Sequence, residues 1–239
     1  MKKKKTPAAG PYGATIDVIL DMERGQSRIA RVKSGYRFAF ELKNAARVMA
    51  NKARAVGDED GFELRAFVTG AVILAWSSLD AALNEFILLN AVERKSPLSD
   101  AEKAIIRAIG SEDLRPRRLQ HTLQLFNMML RLLKKSPLVE TQQPYRSANA
   151  VRLLRNELVH PKPCWVVTFS ENPNENLSEQ QKIIRQLRQD LNLDRDATFP
   201  RDILNSKCAD WAVRSCESFF REFVKHSGVC PGFVTEDVF

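Results

Sequence analysis

The apolar residues of this chain recur mostly at intervals of three and four, which is the spacing of a helix that buries one face. This spacing predicts helix from residue 14 to about residue 56, and again over residues 62–94. The residues between them, GDEDG at 57–61, combine glycine with acidic side chains and predict a turn. At about 1.5 Å per residue, the second helix is long enough to be a principal helix of a bundle.

The centre of the second predicted helix is apolar enough to raise the question of a membrane span. Asp80, Asn84 and Glu85 interrupt the apolar run before it reaches the roughly 18 uncharged residues that a span requires. We therefore interpret this stretch as a buried bundle helix and expect no membrane partner. Together with Ser77, the three residues form a polar stripe at helical spacing.

The rest of the chain also predicts helices. Ser99 and Glu102 form a capping box that starts a short helix, which Gly110 ends. Further helical patterns cover residues 115–135, the residues that lead to His160, a segment that ends near residue 193, and residues 202–226. Few glycines and few runs of β-branched residues favour an all-α protein. We expect a helical bundle with two long antiparallel helices and additional helices at the C-terminus.

Composition and charge narrow the choice of partner. The chain has 239 residues, of which 44% are hydrophobic, so it can bury a substantial core. Its net charge of +8 is compatible with a polyanion such as RNA, although an ordinary solvated surface gives the same balance.

Domain limits follow from the N-terminal sequence. Residues 1–13 carry four lysines followed by proline and glycine, and they predict a disordered basic arm. We expect residues 14–239 to form a single helical domain, with a core over about 14–163 and a C-terminal extension over about 164–239. Because no apolar segment near the start is long enough for a signal peptide, we expect a cytoplasmic protein.

The cysteines give no metal pattern. The four cysteines form no CxxC pair, and no histidine stands at ligand spacing from two of them. We therefore expect no metal and no cofactor. Cys208 and Cys216 are predicted to be small core residues in a reducing compartment.

Residues 151–163, VRLLRNELVHPKP, carry the candidate chemistry. They predict the last turns of a helix that ends at His160, because a proline disfavours helical geometry at the residue before it. Arg155 lies five residues before His160, so in an ideal helix the two side chains point more than a right angle apart. They meet only if the arginine reaches round, if the last turn unwinds, or if a second copy of the helix faces the first. This geometry suggests a homodimer.

The order arginine, polar residue, three further residues and histidine at a helix end, here RNELVH at 155–160, resembles the signature of HEPN domains. HEPN domains are all-helical and associated with nucleic acids, and many members are metal-independent ribonucleases. The run SSLDAALNEF at 77–86 also resembles an early helix of that family. The resemblance thus covers residues 62–94 and 146–160, in the expected order.

The resemblance implies an endoribonuclease in which RNA supplies its own nucleophile, the ribose 2′-hydroxyl. Histidine exchanges a proton near neutral pH, so His160 would serve as acid or base. Arginine stays charged and offers a planar fork to phosphate oxygens, so Arg155 would stabilise the transition state. Asn156 would orient the phosphate or the histidine. The products would carry a 2′,3′-cyclic phosphate, and two protomers would place their motifs in one cleft.

Other polar residues are candidates for supporting roles. Ser77, Asp80 and Glu85 either face solvent or face the motif, where a carboxylate would hold Arg155 or fix the tautomer of His160. We also expect four arginines to contact RNA, although clustered arginines are often an ordinary solvated helix start. They are Arg152, Arg115, Arg117 and Arg118.

HEPN proteins are frequent in bacterial toxin and phage-defence systems. By analogy the resemblance implies an RNA-targeting growth-arrest or defence role, with a cognate inhibitor or antitoxin as a partner. Two other interpretations remain open: a HEPN-like module that binds RNA or nucleotide without cleaving it, and a helical scaffold that dimerises through its long helices. Lys162 stands where some nuclease members of the family have a tyrosine, and this departure supports both alternatives.

Overall fold

The computed structural model describes residues 15–21, 28–35, 38–57, 61–92, 98–110, 122–160, 179–193 and 199–228. The chain divides into two compact units, Met1–Phe38 and Ala39–Phe239. The predicted basic arm over residues 1–13 lies outside the described residues.

The first unit contains a β-hairpin. Strand β1 (Thr15–Asp21) pairs antiparallel with β2 (Arg28–Gly35), with Val18 opposite Val32. The prediction of helix from residue 14 is therefore wrong for Thr15–Asp21 and Arg28–Gly35, and the helical unit begins at Ala39. The sequence TIDVILD of β1 is rich in β-branched residues, which favour strands because their stiff side chains fit a pleated surface.

The second unit is helical, which confirms the all-α prediction for this part of the chain. Its described residues form seven helices: α1 (Phe38–Val56), α2 (Gly61–Val92), α3 (Asp100–Gly110), α4 (Thr122–Leu132), α5 (Tyr145–Val159), α6 (Glu179–Leu191) and α7 (Ser206–Ser227).

Helices α1 and α2 contact each other near both ends of α1. Gly57 follows α1 with a φ of +74°, the left-handed conformation that glycine adopts without strain at a helix end. The Ala39 N–H at the start of α1 donates to Glu85 Oε1 near the end of α2, at 2.8 Å. Near the end of α1, Lys52 Nζ lies 5.5 Å from the ring centroid of Phe67 of α2. Glu85 therefore accepts a hydrogen bond that the first turn of α1 cannot make internally.

Helix α7 is the central partner of the unit. The most extensive packing between helices joins α2 and α7. Two ion pairs fasten α1 to α7: Arg47 Nε lies 2.7 Å from Glu217 Oε1, and Arg54 Nη2 lies 2.7 Å from Asp210 Oδ1. Because the earlier residue of α1 meets the later residue of α7, these two helices run antiparallel.

A cluster of aromatic rings fills the core beside α7. Phe126 of α4 packs edge to face on Phe219, Phe220 and Phe223, with ring centroids 5.4, 6.1 and 4.6 Å apart. Phe86 of α2 meets Phe223 at 5.1 Å in the same manner. Edge-to-face packing places the positive ring edge on the negative ring face, which adds to the burial of apolar area.

Local sequence signals fix several helix ends. The capping box predicted at the start of α3 is confirmed: the Ser99 N–H donates to Glu102 Oε2 at 2.8 Å, and the Glu102 N–H donates back to Ser99 Oγ at 3.3 Å. At the end of α7, Gly228 adopts a φ of +65° and donates its N–H to the Val224 carbonyl at 3.1 Å.

Over Gly61–Ile87, α2 is long and apolar enough to cross a membrane by length and composition alone. Half of its most apolar window is buried inside the protein. A core helix meets the same criterion, and the packing of α2 on α7 gives it that role here.

A buried lysine gives the first testable prediction. Lys43 is 1% exposed, and burial together with nearby Arg47 lowers its pKa, whereas Glu217 acts to raise it. The unfolded chain then binds more protons than the folded protein between the lowered pKa and the ordinary value of 10.5, so stability rises with pH across that interval. We expect Lys43→Met to raise the free energy of unfolding at pH 7 by about 1 kcal/mol and to remove this rise. Urea denaturation at several pH values, showing a less stable variant or an unchanged pH dependence, would contradict this.

The loop between α4 and α5 gives a second prediction. Asn127 is 5% exposed; its Nδ2 donates to the Leu138 carbonyl and its Oδ1 accepts from the Leu138 N–H, both at 2.8 Å. Asn127→Leu keeps the size of the side chain but leaves both backbone groups without this partner. We expect a loss of about 2–4 kcal/mol in unfolding free energy, whereas Asn51→Leu on an exposed face should change it by less than about 0.5. Equal effects of the two substitutions would refute this account.

Candidate functional site

The apolar face of α5 orients its polar residues. Val151 and Leu154 are fully buried in the core, and Leu158 is partly buried against it. These three residues recur at helical spacing and form the apolar face of α5. Burying these side chains turns the opposite face of α5, with Arg152 and Asn156, away from the core.

The helix ends where the sequence predicts. Its last residue is Val159, and His160 is the C-cap, with φ −126° and ψ 62°. The His160 N–H donates to the Asn156 carbonyl at 2.9 Å, and the His160 side chain is exposed.

Arg155 and Asn156 contact each other. Arg155 Nη1 donates to Asn156 Oδ1 at 3.2 Å, and both side chains are half-buried. Arg155 Nε is shielded from solvent and, among the described residues, has no hydrogen-bond partner. Within the described part of the chain the guanidinium is therefore only partly satisfied, through its bond to Asn156.

The structure joins Asn156 to each of the other two predicted catalytic residues, Arg155 and His160, but does not join those two to each other. Arg155 is joined to Asn156 through side chains, and His160 is joined to Asn156 through the backbone. Arg155 and His160, both among the described residues, form no hydrogen bond with each other. The His160 N–H bonds to the carbonyl four residues earlier, so the last turn of α5 is not unwound. Arg155 and His160 therefore stay apart on the helix, as the sequence predicts.

Of the four arginines predicted to contact RNA, Arg152 lies among the described residues. Arg152 is half-buried, and its Nε donates to Asn149 Oδ1 at 2.9 Å on the same helix face. This bond fixes the direction of its guanidinium group. Arg115, Arg117 and Arg118 lie outside the described residues.

The three predicted supporting residues lie on α2. Asp80 accepts a hydrogen bond from Thr122 Oγ1 of α4, and Glu85 accepts the bond from Ala39 at the start of α1. Ser77 is half-buried. Each carboxylate therefore has a structural partner on a helix other than α5, and a supporting role toward the motif stays a prediction.

Tyr145 is a polar residue of this region that the sequence reasoning missed. It is 2% exposed, and within the described ranges its hydroxyl has no hydrogen-bond partner. Burial raises the pKa of Tyr145 to about 12; Glu140 contributes to the rise, and Arg152 opposes it.

The cysteines of α7 are core residues, as predicted. Cys208 and Cys216 are buried and unpaired. Burial raises the pKa of Cys208 to about 12, and it raises that of Cys216 as well, with added effects of Asp80 and Glu217. Such thiols stay protonated and unreactive. Cys164 and Cys230 lie outside the described residues, within which no group of three or more His, Cys, Asp or Glu side chains forms a metal site.

Taken together, the described helical unit is an α-bundle with an arginine, an asparagine and an exposed histidine at one helix end. The chain matches no protein-family model, no curated protein and no solved structure.

Glu85 was predicted to support the motif, whereas in the structure it accepts a hydrogen bond from the first turn of α1. Measurements of stability test this capping role. We expect Glu85→Ala to lower the unfolding free energy by about 1 kcal/mol, because α1 loses an acceptor at its N-terminus. Glu85→Gln keeps an acceptor oxygen and should lose less. Denaturation measurements on both variants test this; stability equal to wild type in Glu85→Ala would remove the capping role and leave the motif-supporting one.

Proposed function

We propose that this protein is a metal-independent endoribonuclease of HEPN type whose site lies at the C-terminal end of α5. The observation that carries the proposal is the exposed His160 at the helix end, one turn beyond an Arg155–Asn156 pair whose arginine is only partly satisfied. These groups provide a proton carrier and a phosphate-binding cation on the last turns of one helix. In this proposal α1 and α2 are the two long antiparallel helices of a HEPN-like core.

The chemistry follows from the properties of the two groups. The 2′-hydroxyl of a ribose attacks the adjacent phosphorus and loses its proton to a base, while the bond from phosphorus to the 5′-oxygen breaks and that oxygen gains a proton. His160 carries out proton transfer, for which exposure at the helix end gives it access to RNA. Arg155 binds the non-bridging oxygens, which gain negative charge in the transition state. The products are a 2′,3′-cyclic phosphate and a 5′-hydroxyl.

We propose that the working site takes its two key groups from two chains. Arg155 and His160 form no hydrogen bond within one chain, and their directions on α5 differ. A second copy of α5 facing the first would place the histidine of one protomer beside the arginine of the other. Homodimerisation in the cytoplasm, on an RNA substrate, is therefore part of the proposal, as is a toxin or phage-defence setting with a cognate inhibitor.

A non-cleaving module is the second candidate. It is favoured by the same separation of Arg155 from His160, since a site that only holds phosphate needs the arginine alone. In that case Arg155 and Arg152 would bind RNA and His160 would have no chemical role.

RNA cleavage in the presence of EDTA tests the proposal. We expect the wild-type protein to cut labelled total RNA or tRNA and leave cyclic phosphate ends. His160→Ala and Arg155→Ala should each lose activity by about 100-fold or more, because each removes a group that acts in the transition state. Arg185→Ala, which removes an exposed arginine of α6, is the matched control and should cut normally.

Folding and oligomeric state are checked for every variant by circular dichroism and light scattering. The ribonuclease proposal would be refuted if the wild-type protein left RNA intact, or if the folded His160→Ala variant cut RNA as fast as the wild type. RNA binding that is lost in Arg155→Ala but kept in His160→Ala, without cleavage by the wild type, would instead establish the non-cleaving module.

A further inference from the structure

A cleft of about 570 Å³ opens among the start of α5, the end of α6 and α7. Ser147 is the residue of α5 that lines it. Ser147 lies nine residues, or about two and a half turns, before Asn156, so the two occupy opposite sides of the helix. The cleft is therefore separate from the motif at the end of α5.

One stripe of α7 forms a wall of the cleft. Trp211, Arg214, Ser215 and Ser218 line it at intervals of three, one and three residues. Such spacing places them on one side of the helix. The wall thus offers an aromatic surface, a guanidinium and two hydroxyls in a row.

The acidic residues of the cleft already have cationic partners. Asp190 Oδ1 lies 3.3 Å from Arg146 Nη2, and Asp190 Oδ2 accepts from Ser147 Oγ at 2.7 Å. Glu222 Oε1 lies 3.1 Å from His226 Nε2 and 3.4 Å from Lys225 Nζ. Neither carboxylate therefore leaves an uncompensated negative charge in the cleft.

Arg214 differs from the two carboxylates in its pairing. Its Nε donates to the Asp210 carbonyl at 3.3 Å, while the carboxylate of Asp210 is paired with Arg54 at 2.7 Å. Among the described residues Arg214 forms no ion pair. Arg214 is exposed and lines the cleft, so its unpaired charge is accessible to a ligand there.

We propose that this cleft binds a small phosphomonoester whose body carries hydroxyl groups. The planar guanidinium of Arg214 matches two phosphate oxygens at once. The Ser215 and Ser218 hydroxyls both donate and accept, which suits a sugar body, and Trp211 supplies an apolar wall. The cleft volume lies within the range of sites for small ligands.

Isothermal titration calorimetry on the full chain tests the proposal with five probes. They are inorganic phosphate, ribose 5-phosphate, adenosine 5′-monophosphate, and the uncharged ribose and adenosine. We expect ribose 5-phosphate and adenosine monophosphate to bind at about 1 mM or below, and more tightly than inorganic phosphate. Ribose and adenosine should not bind, because they lack the group that Arg214 recognises.

Three variants locate the binding. Arg214→Gln should weaken phosphomonoester binding by about tenfold or more, since it removes a charge-assisted pair. Ser218→Phe should block the cleft, and the charge-matched control Arg185→Gln should bind as the wild type does. His160→Ala should also bind normally, which separates this site from the ribonuclease motif.

Several outcomes would overturn the proposal. These are no binding of either phosphomonoester, equal binding by Arg214→Gln and wild type, or binding that His160→Ala loses. Inorganic phosphate that binds as tightly as both monoesters would remove the role of the hydroxylated body. Binding of adenosine monophosphate together with ribose 5-phosphate supports recognition of the shared sugar phosphate.

Discussion

The packing of Phe126 against α7 is the contact on which the helical unit depends most. This side chain is fully buried, and three rings of α7 surround it. Phe86 joins the cluster from α2, and Tyr145 joins it from α5 at 5.8 Å from Phe219. One aromatic group therefore anchors α2, α4 and α5 to the same helix. Because α5 is anchored at Tyr145 and buries Val151 and Leu154, the direction of its polar face is fixed by the core.

Features set by neighbouring residues could be predicted from the sequence, whereas those set by distant partners could not. The capping box at Ser99 and the glycine ends at Gly57 and Gly228 follow from local backbone chemistry. Strands β1 and β2 do not follow from the apolar spacing, because a few apolar residues fit a helical period as well as a strand. The strand propensity of β1, in Ile16, Val18 and Ile19, was the stronger signal.

The same division applies to the candidate site. The end of α5 at His160 was predictable, since Pro161 follows it in the sequence. The hydrogen bond between Arg155 and Asn156 depends on side-chain rotamers, and no spacing rule gives it. Partners of Asp80 and Glu85 lie 42 and 46 residues away in the chain, so only the fold shows that one meets Thr122 and the other meets Ala39. The cleft beside Arg214 combines three helices and had no sequence signature.

The central claim is that RNA is cut by its own 2′-hydroxyl, with His160 moving the proton and Arg155 holding the phosphate. The most direct measurement uses one short RNA whose cleaved linkage has been mapped, compared with the same strand carrying a single 2′-deoxy sugar on the 5′ side of that linkage. The account predicts cleavage of the first and none of the second at that position, because the nucleophile is missing. Cleavage of the deoxy linkage at a similar rate would show that water or another group attacks, and it would contradict the account.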